Sequence, residues 1–506
     1  MTDIKQKVLR GGIARIAVLV TNMAIRVVSM VVLARLLDPH DFGLVAMVTA
    51  TTGIFALFRD FGLSTATIQR ESITDEQVST LFWMNMLIAA VLCVAALATA
   101  PLLVEFYHEP RLFWITVAIA MGFLFNGASV QHTALIERHL RFGTLALLDV
   151  TNQLVGTAIG IGMAALGFGY WALVGMAIIP LATYMVGVWI LAAWVPGRPR
   201  RNTGAGAMLK FGWSVTVSQL VMYFGNNSDK FLLGRYWGAQ ELGTYGRAMQ
   251  LISLPSESLA QALGGVAFPA LSRVQSDPQQ FRRFFLKGYA LILSTTIPVT
   301  IACGIFAADI VLVMLGEKWR DAIAIFQAAS PAILIFGITR PFNWMLLAKG
   351  ETRRNLQVAL VQVPLMIAAI VAGLPGGGVG VAEMYSYMML LWAIPNLLWV
   401  IRGTAITAGD LLAVIGKPLL ASVLAGAAAH ASIDSIDTLL ENLMANPFLA
   451  EELVALLHGR SPYALARLIL ECSVHFGLYY LILMYALGEI AFYRDLLRTM
   501  FRRSSA

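Results

Sequence analysis

Ala34-Arg35-Leu36-Leu37-Asp38-Pro39-His40-Asp41-Phe42-Gly43 closes one long apolar run and opens the next, and a related stretch stands 200 positions further on, Arg35 answering to Arg235. There, Gly234-Arg235-Tyr236-Trp237 faces Ala34-Arg35-Leu36-Leu37, and Glu241-Leu242-Gly243 faces Asp41-Phe42-Gly43, without a gap. At the same offset Leu9-Arg10 and Gly12 fall on Leu209-Lys210 and Gly212. Each match alone is weak, because small and apolar residues recur by chance in membrane helices. Together, at one offset and at the same place relative to an apolar run, they indicate a duplicated unit. An offset spanning an even number of crossings makes the copies parallel, related by an axis along the membrane normal, and such repeats set a substrate site between them.

The crossings follow from composition. Of 506 residues, 58% are hydrophobic and 13% charged, too apolar for a soluble protein of that length. A crossing helix needs roughly 20 mostly apolar residues. About 14 such runs occur, near residues 12–36, 42–68, 78–104, 112–136, 145–166, 171–195, 208–234, 242–270, 285–315, 322–348, 355–374, 378–401, 411–431 and 465–492. Lys5, Lys7 and Arg10 precede an apolar run too long for a signal-peptide core, with no small-residue cleavage site after it, so the first helix is expected to be retained. The fold expected is an all-α polytopic membrane protein. Two six-helix bundles, 1–200 and 201–405, are related by pseudo-two-fold symmetry around a central cavity. Residues 406–506 add two further crossing helices.

The net charge of +7 does not point to nucleic acid, because the basic residues alternate with the crossings. Arg70, Arg138, Arg141, Arg198, Arg200, Arg201, Arg273, Arg282, Arg283, Lys287, Lys349, Arg353, Arg354 and Arg402 follow even-numbered runs, and Arg494, Arg498, Arg502 and Arg503 close the chain. The opposite loops, among them Asp38-Pro39-His40-Asp41 and Leu374-Pro375-Gly376-Gly377-Gly378, are nearly free of them. Positive charge marks the cytoplasmic side, so an inner-membrane protein with both termini in the cytoplasm is expected. Cys93, Cys303 and Cys472 lie in separate apolar runs and form no paired motif, which supports neither a disulfide framework nor a thiolate metal site.

Beyond the repeat stretches, the chain contains Phe58-Arg59-Asp60-Phe61-Gly62-Leu63-Ser64, Gly167-Phe168-Gly169-Tyr170-Trp171-Ala172-Leu173, Asn227-Ser228-Asp229-Lys230-Phe231-Leu232-Leu233-Gly234 and Gly316-Glu317-Lys318-Trp319. With these, the chain resembles the polysaccharide-transporter family of the multidrug/oligosaccharidyl-lipid/polysaccharide flippase superfamily, over roughly residues 1–430. The resemblance implies flipping of an undecaprenyl-pyrophosphate-linked oligosaccharide from the cytoplasmic to the periplasmic leaflet, for O-antigen, capsule or exopolysaccharide synthesis. One region departs from the pattern. Residues 432–461 form a long polar stretch between the last two crossings, with Asp434, Asp437, Glu441, Glu451 and Glu452. Ile436, Leu439, Leu440, Leu443 and Met444 recur in it at helical spacing, which predicts an amphipathic helix on the periplasmic surface. That helix is either a tethered surface element or a docking site for a polymerase or chain-length partner.

Charges inside the crossings carry the functional reading, since a basic group near the bilayer centre costs several kcal/mol and needs a cavity, a partner or a snorkelling route. At about 100° per residue, Arg15, Asn22 and Arg26 share one stripe of the first helix with Ser29. Arg26 sits about 16 Å deeper than Arg15, which can snorkel to the surface. Arg59 is expected about a third of the way in from the cytoplasmic side of the second helix, two turns from Thr52 on the same face and followed by Asp60. Gln219, Tyr223, Asn226 and Lys230 recur at spacings of 4, 3 and 4 on the seventh helix, with Asp229 adjacent and Asn226 at the offset position of Arg26. Arg247, Gln250, Glu257 and Gln261 repeat the theme on the eighth.

Guanidinium groups hold phosphate oxygens bidentately and keep their charge in a low-dielectric site. Arg26, Arg59 and Arg247 are therefore the expected pyrophosphate contacts. Asn22, Asn226, Gln219, Tyr223 and Gln250 are expected to meet the sugars, Arg15 is a further substrate-binding candidate, and Asp60, Asp229, Lys230 and Glu257 are candidates for ion coupling. Each charged position also has a structural alternative, an ion pair that neutralises itself. Gly160-Ile161-Gly162-Met163-Ala164-Ala165 imitates a dinucleotide fingerprint but has no strand before it. No phosphate-binding loop and no His/Cys cluster occurs, so neither cofactor nor metal is expected and transport would run on a gradient or on product consumption. Two other classes compete. A multidrug or cation-coupled antiporter of the same superfamily would favour acids over Arg, and a membrane polysaccharide polymerase or glycosyltransferase would carry a large periplasmic loop.

Overall fold

A computed structural model describes residues 21–59, 64, 67, 68, 73–199, 206–444, 462–491, 493 and 494. All regular elements among them are helical. The chain divides into two compact units, Met1–Gly246 and Arg247–Ala506. Nine helical segments among the described residues are long and apolar enough to cross a membrane, one of them, Arg353–Ile401, containing two helices joined by a tight turn.

In the first unit α1 covers residues 21–36. It is followed by α2, Pro39–Ala56, and α3, Asp75–Tyr107. Next come α4, Leu112–Arg138, α5, Phe142–Ala165, and α6, Tyr170–Ala192. The stretch Gly206–Arg273 turns at Gly238, whose φ of 78° and ψ of −174° leave the helical region. A side chain is strained there, so glycine is the residue that permits the corner between α7, residues 206–237, and α8, residues 239–273.

The quoted stretch around Asp38 is a helix start: Pro39 occupies the first turn of α2, where its missing N–H costs nothing, and Asp38 N donates to Asp41 Oδ2 at 3.3 Å. Thr74 starts α3 the same way, exchanging hydrogen bonds with Gln77. The second crossing differs from expectation. The helix stops at Ala56, inside the run expected to reach residue 68, because Leu57, Phe58 and Arg59 N–H groups turn to carbonyls three residues back, and helix is found again at residues 64, 67 and 68. Hydropathy does not register the stop, since Leu57 and Phe58 are still apolar.

Within this unit the repeat is also a contact. A Cβ on Gly43 would lie 1.7 Å from Ala239 O, and one on Gly243 would lie 1.8 Å from Pro39 O. Shifting each number by the repeat offset converts one contact into the other, which is the signature of a two-fold relation. α3 packs against α4, and α4 and α5 against α6. Two aromatic groups of α4 and α6 find partners inside the unit: Trp189 Nε1 donates to Ala128 O at 2.9 Å, and His132 stacks on Trp189 with centroids 4.4 Å apart while its Nε2 donates to Trp194 O at 3.2 Å. Apolar side chains point outward as well. Leu87, Val91 and Val94 of α3 are all exposed along one face, as a lipid-facing helix requires.

In the second unit the expected crossing at 285–315 divides at Phe306 into α9, Pro278–Ile305, and α10, Ala307–Met314. α11, Ala322–Ala329, and α12, Pro331–Ala348, follow. α13, Thr352–Gly373, and α14, Gly377–Ile401, meet through Leu374–Gly376. A Cβ on Gly373 would lie 2.3 Å from Gly380 O, so this turn closes only around glycine. α15 is Ala408–Ala431 and α16 is Ile433–Met444. α17, Pro462–Leu481, continues into a π turn at Ile482–Ala486.

Pro298 inside α9 leaves the carbonyl of Ser294 without its helical donor. Tyr479 of α17 supplies one, its hydroxyl donating to Ser294 O at 2.8 Å, and His475 Nε2 donates to Pro298 O at 3.1 Å. The last crossing helix is thereby stitched to α9 at its kink. α9 is also tied to α15, where Arg282 Nε donates to Asp410 Oδ2 at 2.8 Å and a second guanidinium nitrogen reaches Oδ1. The expected amphipathic helix is present as α16, with Ile436 and Leu440 buried and Leu439 exposed; residues 445–461 lie outside the described residues.

Candidate functional site

Polar groups of the first unit gather along α1, α2 and α7. Asn22 of α1 is half-buried, and its Oδ1, shut away from solvent, has no hydrogen-bond partner among the described residues. Arg26 is exposed one turn further on, and Ser29 Oγ donates to its carbonyl at 3.0 Å. Arg59 lies beyond the end of α2, in an exposed bend, with Nε donating to Ala56 O at 3.2 Å. It sits outside regular helix, a different setting from the position within the second helix that was expected.

α7 is joined to α2 by a tyrosine. Tyr223 OH donates to Ala50 O at 2.6 Å, and the absence of a side chain at Gly53 makes room for it, since a Cβ there would lie 2.0 Å from the hydroxyl. One turn on, Asn227 Nδ2 donates to Tyr223 O at 2.9 Å and its Oδ1 accepts from Lys230 Nζ at 2.8 Å. Asp229 accepts from Lys230 N at 2.8 Å and from Tyr245 OH at 3.1 Å, across the corner at Gly238. The side chain of Lys230 thus bonds to Asn227, while Asp229 is held by a backbone amide and a phenol. Gln219 and Asn226 are exposed on the same helix.

In the second unit Arg247 Nη1 donates to Gln250 Oε1. Arg15, Asp60 and the side chain of Glu257 lie outside the described residues. The structure brings together Tyr223 and Lys230 with Asn227, Asp229 with Tyr245, and Arg247 with Gln250. Sequence reasoning passed over Asn227 and Tyr245, and only Asn227 had a signal, as the residue opening Asn227-Ser228-Asp229-Lys230. The arrangement offers cationic and amide donors with hydroxyl groups; among the described residues no cluster of His, Cys, Asp or Glu can hold a metal ion.

The profile of a family described as "Polysaccharide biosynthesis protein" matches residues 32–324. The chain belongs to that family. Among relatives of this polysaccharide biosynthesis protein, the lipopolysaccharide biosynthesis protein WzxC of Escherichia coli (strain K12) is 25% identical over 386 residues, covering 75% of this chain and 78% of the relative. The succinoglycan biosynthesis transport protein ExoT of Rhizobium meliloti (strain 1021) is 23% identical over 308 residues, 60% of this chain and 61% of the relative. Among solved structures, the lipid II flippase MurJ in an inward closed conformation superposes with a TM-score of 0.69 at 15% identity, over 96% of this chain and 99% of that one. An inward-facing multidrug resistance MATE transporter of the MOP superfamily superposes at 0.57, with 15% identity, over 77% of this chain and 97% of that one. At these identities the likeness shows the fold: a multi-pass membrane protein of two helical bundles with additional C-terminal helices.

Proposed function

We propose that the chain is a flippase that carries an undecaprenyl-pyrophosphate-linked oligosaccharide repeat unit from the cytoplasmic to the periplasmic leaflet of the inner membrane, for O-antigen, capsule or exopolysaccharide synthesis. Membership of the polysaccharide biosynthesis family across residues 32–324 carries this reading. The fold shared with a lipid II flippase supports it. The alternation of basic loops supports cytoplasmic termini.

In this reading Arg26, Arg59 and Arg247 hold the pyrophosphate, the strongest anion of the cargo, Arg15 is a further contact of the substrate, and Asn22, Asn226, Gln219, Tyr223 and Gln250 meet sugars through hydrogen bonds that tolerate varied hydroxyl patterns. The polyprenyl tail stays among lipid chains. No bond of the cargo is made or broken, so no nucleophile is required. Asp229, or Asp60, takes up and releases the coupling ion, supported for Asp229 by its place between a phenol and a lysine amide. α16 serves a polymerase or chain-length partner.

Deleting the gene tests the reading directly. Single lipid-linked repeat units are expected to accumulate on the cytoplasmic leaflet, and the intact gene to release them while Asp229→Asn restores less transport. Repeat units accumulating unpolymerised in the periplasm would indicate a polymerase instead. Sensitivity to cationic drugs with normal polysaccharide would indicate the antiporter.

A further inference from the structure

Outside the polar groups assigned to transport, one charged cluster is built from three separate helices of the second unit. Arg467 of α17 places its Nε 3.0 Å from Glu471 Oε1, 3.3 Å from Asp437 Oδ1 of α16 and 3.9 Å from Asp309 Oδ1 of α10. Three carboxylates therefore share one guanidinium, and with all of them ionised the cluster carries a formal charge of −2. Water cannot make up the difference at the inner end: Glu471 is 0% exposed, and its Oε2 has no hydrogen-bond partner among the described residues. A carboxylate oxygen in that setting has given up hydration without a compensating partner. At the outer end Asp437 is 29% exposed and accepts from Tyr463 OH at 2.9 Å, giving the cluster a side open to the surroundings.

We propose that Asp309, Asp437, Glu471 and Arg467 form a proton-binding site whose occupancy controls the docking of α16. Asp437 is the only member on α16, and it docks beside Ile436 and Leu440, which are buried. With one proton bound, repulsion among the three acids falls and α16 is held. When the proton leaves, the net charge of the cluster becomes −2 and Asp437 is pushed away from Asp309 and Glu471. The docked state confines all three acids and so binds more protons than the released state. Linkage then makes docking strongest at low pH and weaker as pH rises. The three acids titrate as one unit, since all lie within 4.0 Å of the same nitrogen.

Further titratable groups on the elements packed here include Asp434 and Glu441 on α16, Tyr463, Cys472 and His475 on α17, His430 on α15 and Cys303 on α9, while the charged groups nearer the other ends of α9 and α15 pair elsewhere, Arg282 with Asp410 and Lys417 with Glu489. Asp434, Glu441 and His430 are exposed. His475 is turned to Pro298 O. None of these supplies a second cation to the inner end. The proposal does not depend on the cargo, so it stands or falls separately from flipping.

The test uses the full chain in lipid nanodiscs, with the three native cysteines changed to Ala and a spin label on Leu439→Cys, an exposed position of α16. Label mobility is followed from about pH 4 to about pH 9. The expected result is a single transition, the ratio of released to docked α16 rising by up to about tenfold per pH unit. Glu471→Gln and Asp309→Asn each remove one acid and should hold α16 docked throughout, whereas Asp434→Asn should titrate like the parent. Flat mobility in the parent, or a transition that survives both Glu471→Gln and Asp309→Asn, overturns the proposal. Infrared difference spectra of the unsubstituted chain provide a reading that needs no variant. A protonated carboxyl band that disappears as pH rises is expected, and its absence across the range overturns the proposal too.

Discussion

Three arginines were singled out by the sequence, and their settings differ. Arg26 stands exposed on a regular helix, Arg59 in a bend past a helix end, and Arg247 bonded to Gln250 on its own helix. If they hold pyrophosphate, Lys substitutions keep the charge but lose the fork, so Arg→Lys should reduce transport partially and Arg→Ala strongly, with membrane abundance unchanged. A structural ion pair behaves otherwise, because removing one partner strands a buried charge and lowers the amount of folded protein. Transport and abundance measured together on Arg26→Ala, Arg59→Ala and Arg247→Ala separate the two. Normal transport in all three, or loss of protein as the sole defect, sinks the assignment. The residue types were legible from sequence, since a guanidinium inside an apolar run is conspicuous. Their partners were not. Gln250 and Asn227 each lie three residues from the cation they bond, but nothing local says that Asp229 turns to Tyr245, because that contact depends on the corner at Gly238.

Among the elements, the contact between the start of α2 and the start of α8 is the most constrained. Gly43 and Gly243 each face a backbone carbonyl at a distance no Cβ can occupy. A methyl group at either position forces the helices apart, at a cost of about 1–3 kcal/mol or more. Gly43→Ala and Gly243→Ala should therefore lower the thermal midpoint of the purified chain by similar amounts, as the two-fold relation requires. The double variant should cost less than the sum, because the first methyl already opens the shared contact. Equal midpoints for the parent and both single variants would show that the helices do not meet there. Gly246→Ala is the control, since nothing lies within 4 Å of the position its Cβ would take.

At the scale of the whole chain, the alternation of basic and non-basic loops is the feature from which orientation is read. Leu140 lies in a basic loop and Phe168 in a non-basic one, and both are exposed. With cytoplasmic termini, a membrane-impermeant maleimide added to cells with a permeabilised outer membrane should label Phe168→Cys at once and Leu140→Cys only after the inner membrane is opened. The reverse pattern would invert the topology and with it the direction of the proposed flipping.

The sequence by itself determined that this chain crosses the membrane repeatedly and that it is built on a repeat, because both depend on composition and on periodicity along the chain. Hydrophobic length sets a crossing helix wherever it occurs, and a duplicated stretch stays duplicated whatever it packs against. The tertiary structure decided where helices stop and which groups meet. α2 ends at Ala56 by a switch in backbone hydrogen bonding within an apolar run, a change that hydropathy cannot register. Asp309, Asp437 and Glu471 are separated by 128 and 34 positions in the chain, and only the packing of α10, α16 and α17 gathers them on Arg467. Charge imbalance is a property of that volume and not of any segment: electrostatic energy depends on distance and on access to water, and both are created by folding.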